Sequence, residues 1–407
     1  MVYPSKINNY HSVILFSLLL LFVSCNGTTS SNDNSEGEDP PVDEAKSVNI
    51  SLPEAIFSDV SDIKEKRRSS VIANKIKDLI GAAPKESSVY ISIYNFYDDK
   101  ADILNSLRKA ASRGVKVHIA IDSRDKNKDT ISKLKGIKDI EVISVNNELG
   151  PNHNKFVLYT DILTSNGKQK NITLISSENW NASNQKYFNN AVVLKNKNLF
   201  EAYLDYWEEI KLHADRNVKN YEYKVFNNKK DGIRANFYPM RRDGNVVGPD
   251  PIVEILDGIT NASSTTIKIA QSIWRPDRIE ILNKLKALQN LGAKVQIIVP
   301  DNIVAKMKYE LKDFSKRNGV YVKMFHRRGE DKIGMHSKIT IIEGEWNGEK
   351  STVLITGSSN YSENSIANAF DNSIIFNSQN FKYSKIFESY KDNFAVMKEL
   401  RDSWSSD

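Results

Sequence analysis

The pattern of apolar and polar positions predicts one succession of elements that occurs twice. In each copy an alternating apolar run precedes a stretch with apolar residues at helical spacing, and a β-branched run follows. The first copy comprises Val89–Tyr94, Ala101–Ala110 and Arg113–Asp122, and the second comprises Thr266–Ala270, Ile279–Ala287 and Leu291–Asp301. Gly114 and Gly292 follow the helical stretches, where a left-handed residue commonly ends a helix. A repeated strand–helix–strand unit predicts an α/β fold with two pseudo-symmetric halves, each a mixed sheet flanked by helices.

The N-terminal segment has a different pattern, typical of a secretory signal. The apolar run Val13–Val23 is too short to span a bilayer comfortably and ends at Ser24 and Cys25. We interpret residues 1–24 as a signal peptide resembling that of a bacterial lipoprotein, with Cys25 lipidated in the cell envelope; simple secretion and an uncleaved anchor remain alternatives. Residues 25–46 are polar and rich in Ser, Asn and Gly, which predicts a flexible tether. The two halves are then expected at 47–225 and 226–407.

Charge and cysteine content narrow the classes of ligand. The chain has 57 basic and 51 acidic residues. One of the bases and six of the acids lie in residues 1–45, so the rest of the chain has 56 bases, 45 acids and a formal net charge of +11. A basic body suits a polyanionic substrate, although a composition rich in Lys and Asn explains the charge equally well. Cys25 is the single cysteine, which excludes an intrachain disulfide and a cysteine-rich metal site.

A histidine motif occurs at the matching place in each copy. His153 and His336 are the two of six histidines that have lysine two positions later, at Lys155 and Lys338. Each motif opens a strand-like run, and a second apolar run then ends in Ser-x-Asn, at Ser177 and Asn179 or at Ser358 and Asn360. The histidine precedes the asparagine by 26 residues in the first copy and by 24 in the second. Because residues two apart on a strand share a face, His and Lys project together, and a hairpin brings the Ser-x-Asn pair beside them.

With these motifs the chain resembles the phospholipase D superfamily over roughly residues 50–395. The superfamily signature is His-x-Lys-x4-Asp followed by Gly-Ser-x-Asn, present twice. The resemblance implies an active site at the interface of the halves and a metal-independent phosphodiesterase without a cofactor. It assigns His153 as the nucleophile that forms a phosphohistidine and His336 as the general acid, the reverse assignment being nearly as compatible with the two-fold symmetry. The Lys, Ser and Asn of both motifs would stabilise charge on the phosphate oxygens.

The sequence departs from the family pattern at its acidic positions. The acid after Lys338 falls at Glu343, whereas Thr160 takes that place after Lys155. In the superfamily a further acid usually orients the histidine of each half, and the sequence predicts that Asn190 and Asn372 replace it here, with Asp371 compensating in the second half. These replacements predict reduced activity or, at the extreme, a pseudoenzyme.

Three functions remain open from the sequence. The first is hydrolysis of a phospholipid headgroup ester at a membrane surface by a monomer with two internal half-sites. The second is an endonuclease that cleaves DNA or RNA with the same site, and the third is a non-catalytic surface binding protein. Gln271, Trp180 and Trp274 with Arg275 are candidate groups over the substrate, and each has an ordinary structural explanation as well.

Overall fold

A computed structural model describes residues 44–215, 221–326, 332–379, 381–400 and 403–405. The expected signal peptide, Cys25 and most of the tether lie outside the described residues. Those expectations therefore stay predictions.

The first half forms a mixed sheet of seven strands among the described residues. In order across the sheet these are β1 (Glu54–Phe57), β8 (Asn190–Lys195), β6 (Gly167–Ser176), β5 (Lys155–Thr164), β2 (Ser88–Ile93), β3 (Lys116–Asp122) and β4 (Ile140–Val145). β2, β3 and β4 are parallel, while β5 and β6 form an antiparallel hairpin. Phe156 and Val157 face different core clusters, as the alternation of a strand buried on both faces requires.

The second half repeats this arrangement in a nine-stranded sheet over the same described part of the chain. Its order is β20 (Ser403–Ser405), β15 (Val320–Phe325), β14 (Lys294–Pro300), β13 (Ile259–Gln271), β17 (Lys338–Trp346), β18 (Glu349–Gly357), β19 (Asp371–Asn377), β10 (Ile233–Tyr238) and β9 (Lys224–Asn228). β13, β14 and β15 are parallel, and β17 with β18 forms the hairpin. A small pair joins β11 (Arg241–Arg242) to β12 (Asn245–Val246).

Helices cover the sheets on both faces. They are α1 (Val60–Lys64), α2 (Val71–Gly81), α3 (Ile103–Ser112), α4 (Lys128–Leu134), α5 (Lys197–Leu212), α6 (Pro251–Asp257), α7 (Ile279–Asn290), α8 (Ala305–Phe314), α9 (Glu363–Ala367) and α10 (Ser384–Glu399). α3 and α7 are the crossovers between parallel strands that the repeat predicted, and Gly114 and Gly292 follow them with positive φ. The predicted α/β fold of two pseudo-symmetric halves is confirmed.

One hydrophobic cluster joins the two halves. It contains buried side chains of both sheets together with the aromatic faces of α5 and α10, including Tyr206, Trp207 and Tyr390. Two further clusters lie under the remaining helices, one in each half. None of the helices in the described ranges is long and apolar enough to cross a membrane.

The backbones of the halves also exchange short pairings beside the histidines. β7 (Tyr187–Phe188) of the first half pairs in parallel with β16 (Gly334–Met335) of the second. At the equivalent place Asn152 of the first half forms a bridge with Phe370 of the second. Each histidine therefore follows directly on a segment that is held by the opposite half.

Candidate active site

His153 lies between the Asn152 bridge and the first residue of β5. Its backbone N–H donates to the carbonyl oxygen of Phe370 across the interface, at 2.7 Å. Lys155 opens β5 and its ammonium donates to the carbonyl oxygen of His153. Tyr94, which follows β2, has its ring 4.8 Å from that of His153 and 5.0 Å from the Lys155 Nζ. The predicted pair therefore forms on one strand end, with an aromatic wall that the sequence analysis did not identify.

His336 occupies the equivalent position in the second half. Its backbone N–H donates to the carbonyl oxygen of Phe188 at 2.8 Å, and Lys338 opens β17. The Lys338 ammonium donates to the carbonyl oxygen of His336 at 2.9 Å and to the Ser272 hydroxyl at 3.1 Å. The exchanged backbone hydrogen bonds bring the two predicted motifs to the interface of the halves.

Asp371 is the hydrogen-bond partner of His153, although it belongs to the other half. The Nδ1 of His153 lies 2.9 Å from Oδ2 of Asp371, whose side chain is fully buried. We expected Asp371 to compensate within its own half, and this expectation was wrong. Asp371 is the first residue of β19, where it pairs with Tyr238 of β10, and its side chain reaches across the interface to the opposite histidine.

Asn189 takes the same place opposite His336. Its Oδ1 lies 3.1 Å from the Nδ1 of His336. Its amide group donates to the carbonyl oxygens of Asn184 and Tyr187, at 2.9 and 3.0 Å, which leaves Oδ1 to face the imidazole. The site is therefore asymmetric, with a carboxylate behind one histidine and an amide behind the other.

The expectation that Asn190 and Asn372 replace the orienting acids is corrected by these contacts. Asn190 Oδ1 accepts the backbone N–H of Lys338 at 3.1 Å, and Asn372 donates to Asn154 Oδ1 at 2.7 Å. Both side chains cross the interface, but neither has a histidine side chain among its hydrogen-bond partners in the described part. Neighbouring residues of a strand have their side chains on opposite faces. Asn189 and Asp371 therefore face the histidines, whereas Asn190 and Asn372, one position later, do not.

The two serines of the motifs bind the groups that orient the histidines. Ser177 Oγ donates to Asn189 Oδ1 at 3.1 Å, and Ser358 Oγ donates to Asp371 Oδ1. Both serines are fully buried. We expected them to contact the phosphate oxygens; in the structure they hold the groups that orient the histidines.

The asparagines of the motifs differ in their partners. Oδ1 of Asn360 accepts the Ser272 hydroxyl at 3.0 Å, so that Ser272 connects Asn360 with Lys338. Oδ1 of Asn179 has no hydrogen-bond partner among the described residues. Asn179 thus retains hydrogen-bonding capacity, as expected of a group that contacts substrate.

The burial of the site and its lysine charges favour neutral imidazoles. Burial lowers the pKa of His153 to about 4, with Lys155 acting in the same direction and Asp371 opposing both. Burial and the charges of Lys338 and Lys155 lower the pKa of His336 well below its ordinary value. Burial likewise lowers the pKa of Lys155 to about 7 and that of Lys338 well below its usual range. A bound phosphate anion would offset the buried positive charge.

Glu178 is a buried carboxyl group between Ser177 and Asn179 for which the sequence analysis gave no role. It is 1% exposed, and neither carboxyl oxygen has a hydrogen-bond partner in the described ranges. Burial raises its pKa to about 8, which makes it a neutral acid at pH 7. The sequence already indicated that this position is unusual, because the middle residue of the Ser-x-Asn motif is Glu178 in one copy and Ser359 in the other.

The remaining candidates lie away from the histidines. Glu343 forms ion pairs with Lys268 and Lys391, five residues along β17 from Lys338, or about 17 Å of extended chain. Trp180 and Trp274 are buried and pack edge-on against Phe96 and Tyr361. These tryptophans are core residues of the strand ends and do not line a substrate groove.

Gln271 and Arg275 differ in exposure. Gln271 is buried at the end of β13, and its Oε1 accepts the backbone N–H of Ser272 at 3.0 Å. Arg275 is exposed beyond it. No group of three or more His, Cys, Asp or Glu side chains in the described part is arranged to hold a metal ion.

Comparisons with known proteins agree with this geometry. The family model described as "Cardiolipin synthase, PLD-like domain" matches residues 76–211 and 255–397, more than half of the chain. The crystal structure of phosphatidylserine synthase from Haemophilus influenzae Rd KW20 is similar over 89% of this chain and 90% of that one, with a TM-score of 0.56 and 13% identity.

Polyphosphate kinase from Porphyromonas gingivalis is similar over 86% of this chain, with a TM-score of 0.55 and 13% identity. This chain spans about half the length of that kinase, 50% being covered. A comparison of the sequence with curated proteins finds no match. The structural similarities support the fold, and the two family matches coincide with the two halves that carry the histidines. The chain belongs to the family of phospholipase D-like domains.

Proposed function

We propose that the protein is a metal-independent phosphodiesterase that hydrolyses the headgroup ester of a phospholipid through a phosphohistidine. The observation that carries the phosphodiesterase assignment is the pair of histidines at one interface, each held at Nδ1 by the opposite half. A partner at Nδ1 fixes the tautomer and leaves Nε2 to react.

His153 is the nucleophile in this proposal, because it has the carboxylate partner. Nε2 of His153 attacks phosphorus, the bond from phosphorus to the headgroup oxygen breaks, and His336 donates a proton to that oxygen. Asp371 stabilises the positive charge that develops on the His153 ring. Lys155, Lys338 and Asn179 stabilise the charge on the non-bridging oxygens.

Hydrolysis completes the cycle with the same groups. His336, now neutral, removes a proton from water, the water oxygen bonds to phosphorus, and the bond to Nε2 of His153 breaks. The products are phosphatidic acid and the free headgroup alcohol. The phosphodiester anion raises the pKa of His336 by offsetting the nearby lysines, so that binding itself supplies a protonated general acid.

One observation and one expectation from the sequence favour a lipid substrate over a polynucleotide. Ile273 is 38% exposed and directly follows Ser272, the partner of Lys338, so an apolar side chain lies at the rim. The expected lipidation of Cys25 would hold the enzyme at a membrane, where such a rim meets acyl chains. Nuclease activity is the alternative outcome of the test.

The test compares the full chain with His153→Ala in the presence of EDTA. Both are incubated with phospholipid vesicles and, separately, with single- and double-stranded DNA and RNA. Headgroup release by the wild type alone, with acid-labile phosphate trapped on His153, supports the proposal. Cleavage of nucleic acid without headgroup release assigns the site to a nuclease, and the absence of both overturns the proposed activity.

A further inference from the structure

A basic pocket adjoins the histidine that acts as general acid. It has a volume of about 460 Å³ and is lined by residues of both halves, among them Lys66, Lys186, Lys332, Tyr187 and Gly334. Asp98 also lines it, but its carboxylate pairs with Lys100 at 3.2 Å. Lys186 and Lys332 are exposed, which leaves their ammonium groups available to a ligand.

The exchanged strand pair β7–β16 places the pocket next to His336 in the chain. Tyr187 and Gly334 are paired residues of β7 and β16, and His336 follows Gly334 by two positions. The ring of Tyr187 lies directly on Gly334, where an added Cβ would approach the ring carbon Cδ1 to 1.7 Å. Two residues of extended backbone span about 7 Å, so a group in the pocket lies within a headgroup's length of the oxygen that His336 protonates.

The equivalent positions beside His153 have no lysine, and the cation found there, Arg241, donates to Asn368 Oδ1 at 2.7 Å. The Asn152–Phe370 bridge corresponds to the pairing of Met335 with Phe188. Counting back from these pairs, Lys332 and Lys186 correspond to Leu149 and Asn368, which are both uncharged. The backbone also approaches more closely there, because a Cβ on Gly150 would lie 2.8 Å from the carbonyl carbon of Asn368. An open pocket with two exposed lysines is therefore found beside His336, and the equivalent positions beside His153 do not repeat it.

We propose that this pocket binds an acidic group carried by the leaving headgroup, so that the enzyme prefers phospholipids whose headgroup has a carboxylate or a second phosphate. The inference rests on the proposed phospholipid hydrolysis. His336 protonates the leaving oxygen, so the headgroup extends toward His336 and the pocket beyond it. Two ammonium groups match one carboxylate or phosphate by charge-assisted hydrogen bonds.

The experiment compares vesicles of equal surface charge. Phosphatidylserine and phosphatidylglycerol both carry one net negative charge, but the headgroup of the second has no acid of its own. The wild-type chain is expected to hydrolyse phosphatidylserine with a kcat/KM about tenfold higher than phosphatidylglycerol, a modest factor because the lysines are exposed. A cardiolipin arm distinguishes a second phosphate from a carboxylate.

The variant Lys186→Ala/Lys332→Ala tests the pocket directly. It is expected to lose about tenfold on phosphatidylserine and to retain its rate on phosphatidylglycerol. The control variant Lys294→Ala/Lys350→Ala removes the same charge near the starts of β14 and β18. These starts lie at the end of the second sheet opposite the histidines, so this variant should keep the preference.

Equal rates of the wild type on the two lipids, or equal losses of the pocket variant on both, would overturn the pocket while leaving the proposed hydrolysis in place. No headgroup release from any lipid overturns the proposed function and the pocket with it. Lysine-dependent cleavage of polynucleotide alone assigns the pocket to a neighbouring backbone phosphate and rejects the headgroup.

Discussion

The two histidines of the site have the same backbone surroundings and different chemical partners. His153 faces the carboxylate of Asp371, and His336 faces the amide oxygen of Asn189, with Nδ1 distances of 2.9 and 3.1 Å. A carboxylate stabilises an imidazolium or a phosphorylated ring more than an amide does. In the proposed mechanism, the partner of each ring therefore assigns the roles of nucleophile and general acid that the motifs alone leave open.

Replacing Asp371 by Asn tests this assignment. Asp371→Asn should lower kcat by about 10- to 100-fold, because the charge on the phosphorylated His153 ring loses its carboxylate. Since Asp371 raises the pKa of His153, the variant should move the acidic limb of the pH–rate profile to lower pH. Steady-state rates on vesicles, measured from about pH 3 to about pH 9, test both the loss of kcat and the shift of the acidic limb.

Asn189→Asp is the matched variant at the other histidine. The added carboxylate should raise the pKa of His336 and move the basic limb to higher pH, because the general acid then keeps its proton longer. Identical profiles for both variants would mean that the partners do not distinguish the histidines. An unchanged kcat in Asp371→Asn would remove Asp371 from the catalytic arrangement.

At this scale the sequence predicted the motif residues and misplaced their partners. His153, Lys155, His336 and Lys338 follow from local spacing on a strand. The partner of His153 lies 218 residues away in the other half, which no local pattern encodes. The one-residue difference between Asp371 and Asn372 selects opposite faces, so an approximate alignment of the repeats chose the wrong neighbour.

Among the elements, the exchanged pair β7–β16 connects the pocket with His336, the general acid of the proposed mechanism. Each of these strands has two residues, too few for hydrophobic periodicity to reveal, whereas the repeated strand–helix–strand units were visible because they are long and apolar. The pair depends on the absence of a side chain at Gly334, over which the Tyr187 ring packs.

The variant Gly334→Ala should therefore lower kcat by at least about tenfold. The new Cβ displaces the Tyr187 ring, and the hydrogen bond from His336 N to Phe188 O is lost with the pairing. Hydrolysis of phosphatidylglycerol is the measurement, since it does not depend on the pocket lysines.

Two control variants test whether the clash with the Tyr187 ring causes the expected loss of kcat. Gly334→Ala/Tyr187→Ala removes the clashing ring and should recover most of the lost rate, while Gly81→Ala, with open space around its Cβ, should have none of the effect. A loss that the double variant fails to recover would contradict this account of the pair.

For the whole molecule, the buried Glu178 couples the site to the pH dependence of folding. Its pKa is about 8 in the folded chain, against an ordinary value of 4.5. Between these values the folded state holds a proton that the unfolded state releases, so this group's contribution to stability is present at pH 4 and declines as the pH rises to 8.

Glu178→Gln keeps the shape of the protonated acid and cannot ionise. At pH 9 it should raise the free energy of unfolding by about 2–4 kcal/mol relative to the wild type, and at pH 5 the two should be nearly equal. Denaturant unfolding at both pH values provides the measurement. Glu349→Gln, at an exposed position, is the control, and a stabilisation that is the same at both pH values would show that Glu178 does not ionise on unfolding.

The exchange of pairings between the halves has a consequence for how such a duplicated protein diverges. Each copy supplies the residue behind the other copy's histidine, so a substitution in one copy alters the chemistry of its sibling. Asn189 of the first copy places an amide oxygen behind His336, and Asp371 of the second copy places a carboxylate behind His153. Exchanging one copy for the other would therefore change which histidine has the carboxylate partner and, in the proposed mechanism, which histidine receives the phosphate.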